Sequence, residues 1–205
     1  MNLNKLHYFS GVTISIFVGL HLFNHFYSLF GASAHIDLMN DLRIFYRNIF
    51  IESILLFAVA IQIFSGLKLF FRQRNTISNP FRKIQIWSGL YLAFFLVIHV
   101  GAVLVGRLFL HLDTNFYFGV AGLNTFPLNL FFIPYYTLAI VSFFGHISAV
   151  HAIKMKRKIF GIDPKPQSFV ILLIGIISSL VILYGLTNGF NGFKIPAEYD
   201  VLILK

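Results

Sequence analysis

Residues 10–21 (SGVTISIFVGLH) recur further along the chain as residues 88–99 (SGLYLAFFLVIH). In both copies a Ser-Gly pair opens an apolar run, and a histidine follows ten residues after the glycine. An imidazole in hydrocarbon is costly unless it has a partner, so a histidine inside an apolar span indicates a functional site. Because the two copies have the same length, His21 and His99 lie at one depth if both spans cross a membrane in the same direction.

The composition is that of an integral membrane protein. The chain has 205 residues, of which 58% are hydrophobic and 11% charged, and its mean hydropathy is +0.80. It contains no cysteine, which excludes a disulfide framework, a thiolate metal site and iron–sulfur ligation. Redox chemistry would therefore need a bound cofactor. The net charge of +9 comes mostly from residues beside apolar spans, so we expect no nucleic-acid partner.

Five apolar stretches have the roughly 20 residues that a helix needs to cross the hydrocarbon core. They predict an all-α membrane protein, a single transmembrane domain over residues 1–205. The predicted helices lie at about 7–29, 50–71, 84–105, 133–153 and 169–186. Residues 31–48 are expected to form a polar link, and residues 107–132 a long connection with an interfacial stretch.

The distribution of basic residues predicts the orientation. Ten Lys and Arg lie on the side that holds the N-terminus and the links 72–83 and 154–167, and five, Lys205 among them, lie on the other side. The positive-inside rule then places the N-terminus in the cytoplasm and the C-terminus outside.

His21 and His99 are predicted to share an outer level. Each lies sixteen residues beyond a lysine at the inner side, which is roughly 24 Å at the helical rise of about 1.5 Å per residue. Two imidazoles at one depth on facing helices can supply both axial ligands of a haem iron, because the porphyrin supplies the other four nitrogens. The alternative is two buried histidines, each bonded to a backbone carbonyl or a serine.

Gln62 and His146 are predicted to share an inner level, since each lies ten residues before a basic residue at the inner end of its span. His7 precedes His21 by fourteen residues, the spacing with which one helix can serve two haems. The matching position on the third span is Gln85, however, so this spacing does not give His7 a partner.

Several residues are expected around the outer level. His25 follows His21 by one helical turn and is predicted beside a haem propionate or a quinone head, with replacement of His21 as ligand the alternative. Arg47 and Arg107 are candidate partners of haem propionates, because a guanidinium binds a carboxylate with two hydrogen bonds. His35 and His111 fall in links and are expected to be solvated or at the aqueous interface. His151, near the basic end of its span, is expected to contact lipid headgroups or a propionate.

Six short motifs, in this order, resemble one known family. They are residues 6–11 (LHYFSG), 19–25 (GLHLFNH), 62–66 (QIFSG), 99–100 (HV), 146–148 (HIS) and 161–162 (GI). Together they are similar to the five-helix cytochrome b anchor of succinate:menaquinone oxidoreductases and fumarate reductases, over nearly the whole chain. The resemblance implies a four-helix haem-binding bundle built from a duplicated two-helix unit, plus a fifth helix, in the bacterial cytoplasmic membrane.

The resemblance also implies site residues. His21 and His99 would bind the outer haem b, and a second haem b would lie between position 62 and His146. Position 62 is glutamine here, and an amide is a poor iron ligand, so the sequence predicts one haem. A second haem would be absent, five-coordinate through His146, or bound by His151 or another group. Glu52 corresponds to an acid linked to quinone protonation; the alternative is an acid favoured by the helix dipole.

The function implied is electron transfer between cytoplasmic flavoprotein and iron–sulfur subunits and a membrane quinone, menaquinone in particular. The chain itself would not oxidise succinate, since it has no flavin-binding fingerprint and no soluble domain. Two alternatives stay open. One is a stand-alone haem b quinol or ferric reductase, and the other is a haemless structural or assembly subunit of a respiratory complex.

Overall fold

The computed structural model describes residues 2–75 and 79–204, and within them all regular secondary structure is helical apart from one isolated β-bridge. The helices in chain order are α1 (Leu3–Phe26), α2 (Ala32–Tyr46), α3 (Ile49–Gln73), α4 (Pro80–Leu108), α5 (Phe116–Val120), α6 (Asn129–Lys154) and α7 (Pro164–Leu186). Short 3-10 segments follow α1, at Tyr27–Phe30, and lie near the C-terminus, at Ala197–Leu202.

Five of these helices, α1, α3, α4, α6 and α7, are long and apolar enough to cross a membrane. This confirms the predicted multi-pass, all-helical architecture. The spanning helices begin at earlier residues than predicted, because their first turns include polar residues that do not belong to the apolar stretches. Asparagine side chains cap the backbone N–H groups of α1, α3, α4 and α5, and Pro80 and Pro164 occupy the first positions of α4 and α7.

The spans surround a central space. α3 packs against α1 and α4, α4 packs against α6, α6 packs against α7, and α7 returns to contact α1 and Tyr27–Phe30. α1 and α4 therefore face each other across the middle of the bundle. We call the end with the start of α1 and the end of α6 the inner end, and the opposite end the outer end, following the predicted orientation.

The predicted polar link at residues 31–48 was wrong, because it contains the fifteen-residue helix α2. His35 and Met39 are 3% and 5% exposed, and the side chain of Arg43 is 11% exposed. These residues recur every four positions, so one face of α2 packs on the bundle while its acidic residues face outward.

The long connection and the C-terminal segment form a folded cap at the outer end. Phe116 and Val120 of α5 are almost fully buried and pack against Ile182 of α7. Tyr199, which is also fully buried, donates a hydrogen bond to the backbone oxygen of Asp113 at 3.0 Å. Residues 76–78 of the inner link and Lys205, which the orientation prediction counts, lie outside the described residues.

Candidate functional site

A cavity of about 1070 Å³ fills the centre of the bundle. It extends from Asn4 and Lys154 at the inner end to Arg107 and Thr114 at the outer end. Cofactor pockets commonly measure roughly 300–1,000 Å³, so this cavity is large enough for a sizeable prosthetic group. Its walls are mostly apolar, and histidines enter it at two levels.

At the outer level, His21 of α1 and His99 of α4 lie across the cavity from each other. Their ring centroids are 6.1 Å apart, with an angle of 64° between the ring planes. Phe17 stacks on His21 at 5.7 Å and 16°, and Phe95 stacks on His99 at 4.9 Å and 13°. The structure thus brings together the two histidines of the repeat. We call them the outer pair.

The two stacking phenylalanines occupy the same position in the two copies of the repeat, four residues before the histidine. On a helix that spacing places both side chains on one face. This feature is visible in the sequence and extends the repeat beyond its Ser-Gly start and its histidine.

The outer pair fits the axial ligands of a haem. Two imidazoles bound to one metal ion from opposite sides, through bonds of about 2 Å, have ring centroids roughly 6 Å apart. Aromatic rings packed edge to face have centroid separations of about 4.5–7 Å, so simple packing of two histidines would also give this distance. The hydrogen bonds of the rings distinguish packing from metal ligation. Within residues 2–75 and 79–204, the ring of His99 contacts the rings of His21, Phe95 and Tyr136 but has no hydrogen-bond partner. A polar ring that faces an apolar cavity without a hydrogen bond favours a ligand role.

His25 lies beside the outer pair. Its Nε2 is 3.1 Å from Nε2 of His21, and its Nδ1 is 3.2 Å from Nε2 of His35. Asn24 continues this chain of polar groups with Nδ2 3.3 Å from Nε2 of His35. A row of imidazoles therefore leads from the cavity to α2.

His35 does not lie at the aqueous interface as predicted, since it is only 3% exposed, whereas His111 is exposed. Burial, with smaller contributions from His21 and the cation of Arg43, lowers the pKa of His35 from 6.5 to about 4. His35 is therefore neutral at physiological pH. His151 donates a hydrogen bond from Nε2 to Oε1 of Gln167 at 2.7 Å and does not line the cavity.

At the inner level, His146 of α6 lies near a histidine of α1. The ring centroids of His7 and His146 are 6.5 Å apart, with an interplanar angle of 66°. We call these residues the inner pair. Gln62 turns toward α1: its Nε2 is 3.3 Å from Nε2 of His7, and its Oε1 accepts a hydrogen bond from the Ser10 hydroxyl at 2.6 Å. Spacing along the chain predicts no partner for His7, whereas the structure places it next to His146 and Gln62.

The hydrogen bonds of the inner pair determine which ring nitrogens carry protons. Nδ1 of His146 lies 2.9 Å from the backbone oxygen of Gln85, which can only accept, so Nδ1 carries the hydrogen. Nδ1 of His7 lies 2.9 Å from the hydroxyl oxygen of Ser65, whose own proton goes to the Ile61 carbonyl at 2.6 Å. Both rings therefore keep an unprotonated Nε2, the form in which histidine binds metals.

Glycines let α3 and α4 approach these rings closely. A Cβ atom at Gly66 would lie 3.4 Å from Cε1 of His7, and one at Gly89 would lie 3.2 Å from Cε1 of His146. Each glycine follows a serine that contacts the same ring, Ser65 for His7 and Ser88 for His146, and both serine–histidine separations are 58 residues. The feature that His7 shares with His146 is thus a Ser-Gly pair on a neighbouring helix that contacts its ring.

Charged residues gather at the outer mouth of the cavity. Arg107 forms an ion pair with Glu52, and Arg47 donates to the Thr114 hydroxyl at 2.9 Å. Arg43 pairs with Asp113 at 2.9 Å. Burial and the neighbouring cations of Arg43 and Arg107 lower the pKa of Arg47. The predicted residues Glu52, Arg47 and Arg107 are thus brought together, with Arg107 already bound to a carboxylate.

No family model, curated protein or solved structure matches this chain. The function is therefore argued from the chemistry of the cavity.

Proposed function

We propose that this chain is a membrane cytochrome b subunit that holds haem b between His21 and His99. The observation that carries the proposal is the outer pair, two imidazoles 6.1 Å apart across a largely apolar cavity. Haem, when bound, supplies a one-electron redox centre. The chain would supply two imidazole nitrogens to hold it, the flanking rings of Phe17 and Phe95, and largely apolar walls.

Membrane quinone is the proposed electron partner at the outer mouth. Reduction of a quinone consumes two electrons and two protons, so a carboxylate near the redox centre can serve as the proton donor or acceptor. Glu52 lines the cavity at this end, and its ion pair with Arg107 keeps it in place. His25 is close enough to the outer pair to bind a propionate or a quinone oxygen.

Flavoprotein and iron–sulfur subunits, of the succinate dehydrogenase or fumarate reductase type, are the proposed partners at the inner end. Basic residues gather there, at the ends of α3 and α6 and the starts of α1, α4 and α7. We place this end in the cytoplasm of a bacterium, with the C-terminus outside. Anionic lipid would be attracted by the same charges, so co-purification of the partner subunits is the discriminating observation.

A reduced-minus-oxidised optical spectrum with haem quantification tests the cofactor. We expect the spectrum of a six-coordinate haem b, and we expect His21→Ala and His99→Ala each to lower the haem content by one per chain. His111→Ala, at the exposed histidine of the outer connection, is the matched control and should leave the content unchanged. A purified chain without haem would overturn the proposal and favour a haemless structural subunit.

A further inference from the structure

We propose that the chain binds a second haem at the inner level, with His7 of α1 and His146 of α6 as its axial ligands. This inference rests on the proposed function, since it assumes that the bundle takes up haem. It assigns His7, which has no partner by spacing along the chain, to a ligand position that Gln62 cannot fill.

The geometry of the inner pair matches that of the outer pair. The ring centroids are 6.5 Å apart in one and 6.1 Å in the other, and the interplanar angles are 66° and 64°. Both separations are close to the roughly 6 Å expected for two imidazoles on one metal. All four histidines line the same cavity.

The inner pair is also held as metal-binding histidines are held. Such a residue almost always donates its other ring N–H to a carbonyl or another acceptor, which fixes the ring and leaves the ligating nitrogen unprotonated. His146 does so to the Gln85 carbonyl, and His7 does so to the Ser65 hydroxyl. In the described part of the chain, Nε2 of His146 has no hydrogen-bond partner. A buried polar atom with only a packing role normally has one, so the unpaired Nε2 favours a ligand role.

Gln62 supports His7 and does not compete for the iron. Its amide donates to Nε2 of His7 in this structure, while its Oε1 accepts from Ser10. To bind iron through Nε2, His7 would lose only its hydrogen bond from the Gln62 amide. The hydrogen bond to Ser65 would stay, because it uses Nδ1. The outer level has the same arrangement, with His25 beside Nε2 of His21.

A second haem would extend the redox path toward the inner end. Gly89 contacts His146 and precedes His99 by ten residues on α4, so the two levels are roughly 15 Å apart along the helix. Electrons from a cytoplasmic partner would then cross the bundle in two short steps.

Haem counting on the purified full-length chain tests the inference. We expect two haems per wild-type chain, one in His7→Ala and one in His146→Ala. The remaining outer haem in each variant reports that the bundle is folded. His21→Ala should keep the inner haem, and His151→Ala is the control at the same end of α6, with two haems expected.

A redox titration adds a readout that does not depend on losing the haem. His7→Met keeps a coordinating atom, and a Met/His-ligated haem has a higher potential than a bis-histidine one. One of the two redox components should therefore rise in His7→Met while the other stays unchanged.

The outcomes separate this inference from the proposed function. A single haem per wild-type chain, retained in His7→Ala, would overturn the second site and leave the outer one standing. Loss of haem in His151→Ala with two haems retained in His7→Ala would also overturn it. A wild-type chain with no haem would overturn the proposed function itself.

Discussion

The hydroxyl oxygen of Ser65 lies 2.9 Å from Nδ1 of His7 and accepts its hydrogen, because the serine proton is directed to the Ile61 carbonyl. This bond connects α3 to α1 and leaves Nε2 of His7 as the nitrogen with a lone pair. Ser88 makes the corresponding contact with His146 between α4 and α6, at 3.3 Å. Two Ser-Gly pairs thus orient two histidines on neighbouring helices.

Ser65→Ala should weaken the inner haem without affecting the outer one. Removal of a hydrogen-bond partner behind a metal-binding histidine typically lowers metal affinity by about 10–100-fold. We expect a lower inner haem content and a shifted potential of one redox component. Ser53→Ala is a matched control on α3, since Ser53 is bonded to Ile49 and lies outside the cavity lining. Equal loss of both components in Ser65→Ala would contradict the assignment.

Gly89→Ala should displace the ring of His146. The new Cβ would lie 3.2 Å from Cε1 and 3.3 Å from Nδ1 of the imidazole, so the ring or α4 must move. Because this shift is only a few tenths of an ångström, we expect a lower content of the inner haem and an unchanged content of the outer one, measured on purified protein. Gly101→Ala on the same helix is the control, because no atom lies within 4 Å of its new Cβ. There the added helix propensity, up to about 1 kcal/mol, is expected to stabilise the fold.

Gln62→His should rescue the loss of His7. The Gln62 amide and the His7 ring meet at 3.3 Å, so an imidazole on α3 at position 62 reaches the space that His7 occupies. The double variant His7→Ala/Gln62→His is expected to regain the haem that His7→Ala loses. His7→Ala/Gln62→Asn, which adds no ring nitrogen, is the control and should stay at one haem. Equal haem content in the two double variants would show that position 62 cannot act as a ligand.

The spans and the outer pair were predictable from the sequence because both depend on distance along a helix. Apolar length predicts a crossing segment, and equal spacing in a repeat predicts equal depth. The pairing of His7 with His146 depends instead on where helices lie around the bundle. The equivalent offset on α4 holds Gln85, whereas packing of the helices brings His146 of α6 next to His7.

Two other features were missed for related physical reasons. The polar composition of residues 31–48 predicts a solvated link and not a packed helix. His35 and Arg43 nevertheless lie on the face of α2 that packs on the bundle. The contacts at the outer mouth join Glu52 to Arg107 across 55 residues, which helical periodicity within one span cannot reveal.

Acidification should destabilise the fold through His35. Its pKa is about 4 in the folded protein and about 6.5 when unfolded, so the unfolded state binds the proton more readily. The contribution of neutral His35 to the free energy of unfolding is complete above pH 6.5 and is lost as the pH falls toward 4. This difference between the two pKa values corresponds to a change of about 3 kcal/mol in the free energy of unfolding.

Thermal unfolding of detergent-solubilised protein between pH 7.5 and 5 measures this effect. The fall in Tm with acidification should be smaller in His35→Leu than in the wild type. His111→Leu, at an exposed histidine, should keep the wild-type pH dependence. An unchanged pH dependence in His35→Leu would exclude His35 as the responsible group.

Glu52→Gln should separate a protonation role from a purely structural one. If Glu52 delivers or accepts a quinone proton, its loss should slow quinol-driven haem reduction by about 100-fold or more, since positioned acid–base groups contribute roughly 10²–10⁴-fold. If Glu52 only favours the start of α3, its loss should reduce stability by about 0.3–1 kcal/mol and leave the rate unchanged. Haem content should equal that of the wild type in either case. Asp37→Asn, at an exposed acid of α2, is the control, so a slowed rate in that variant as well would point to a general effect of surface charge and contradict the role of Glu52.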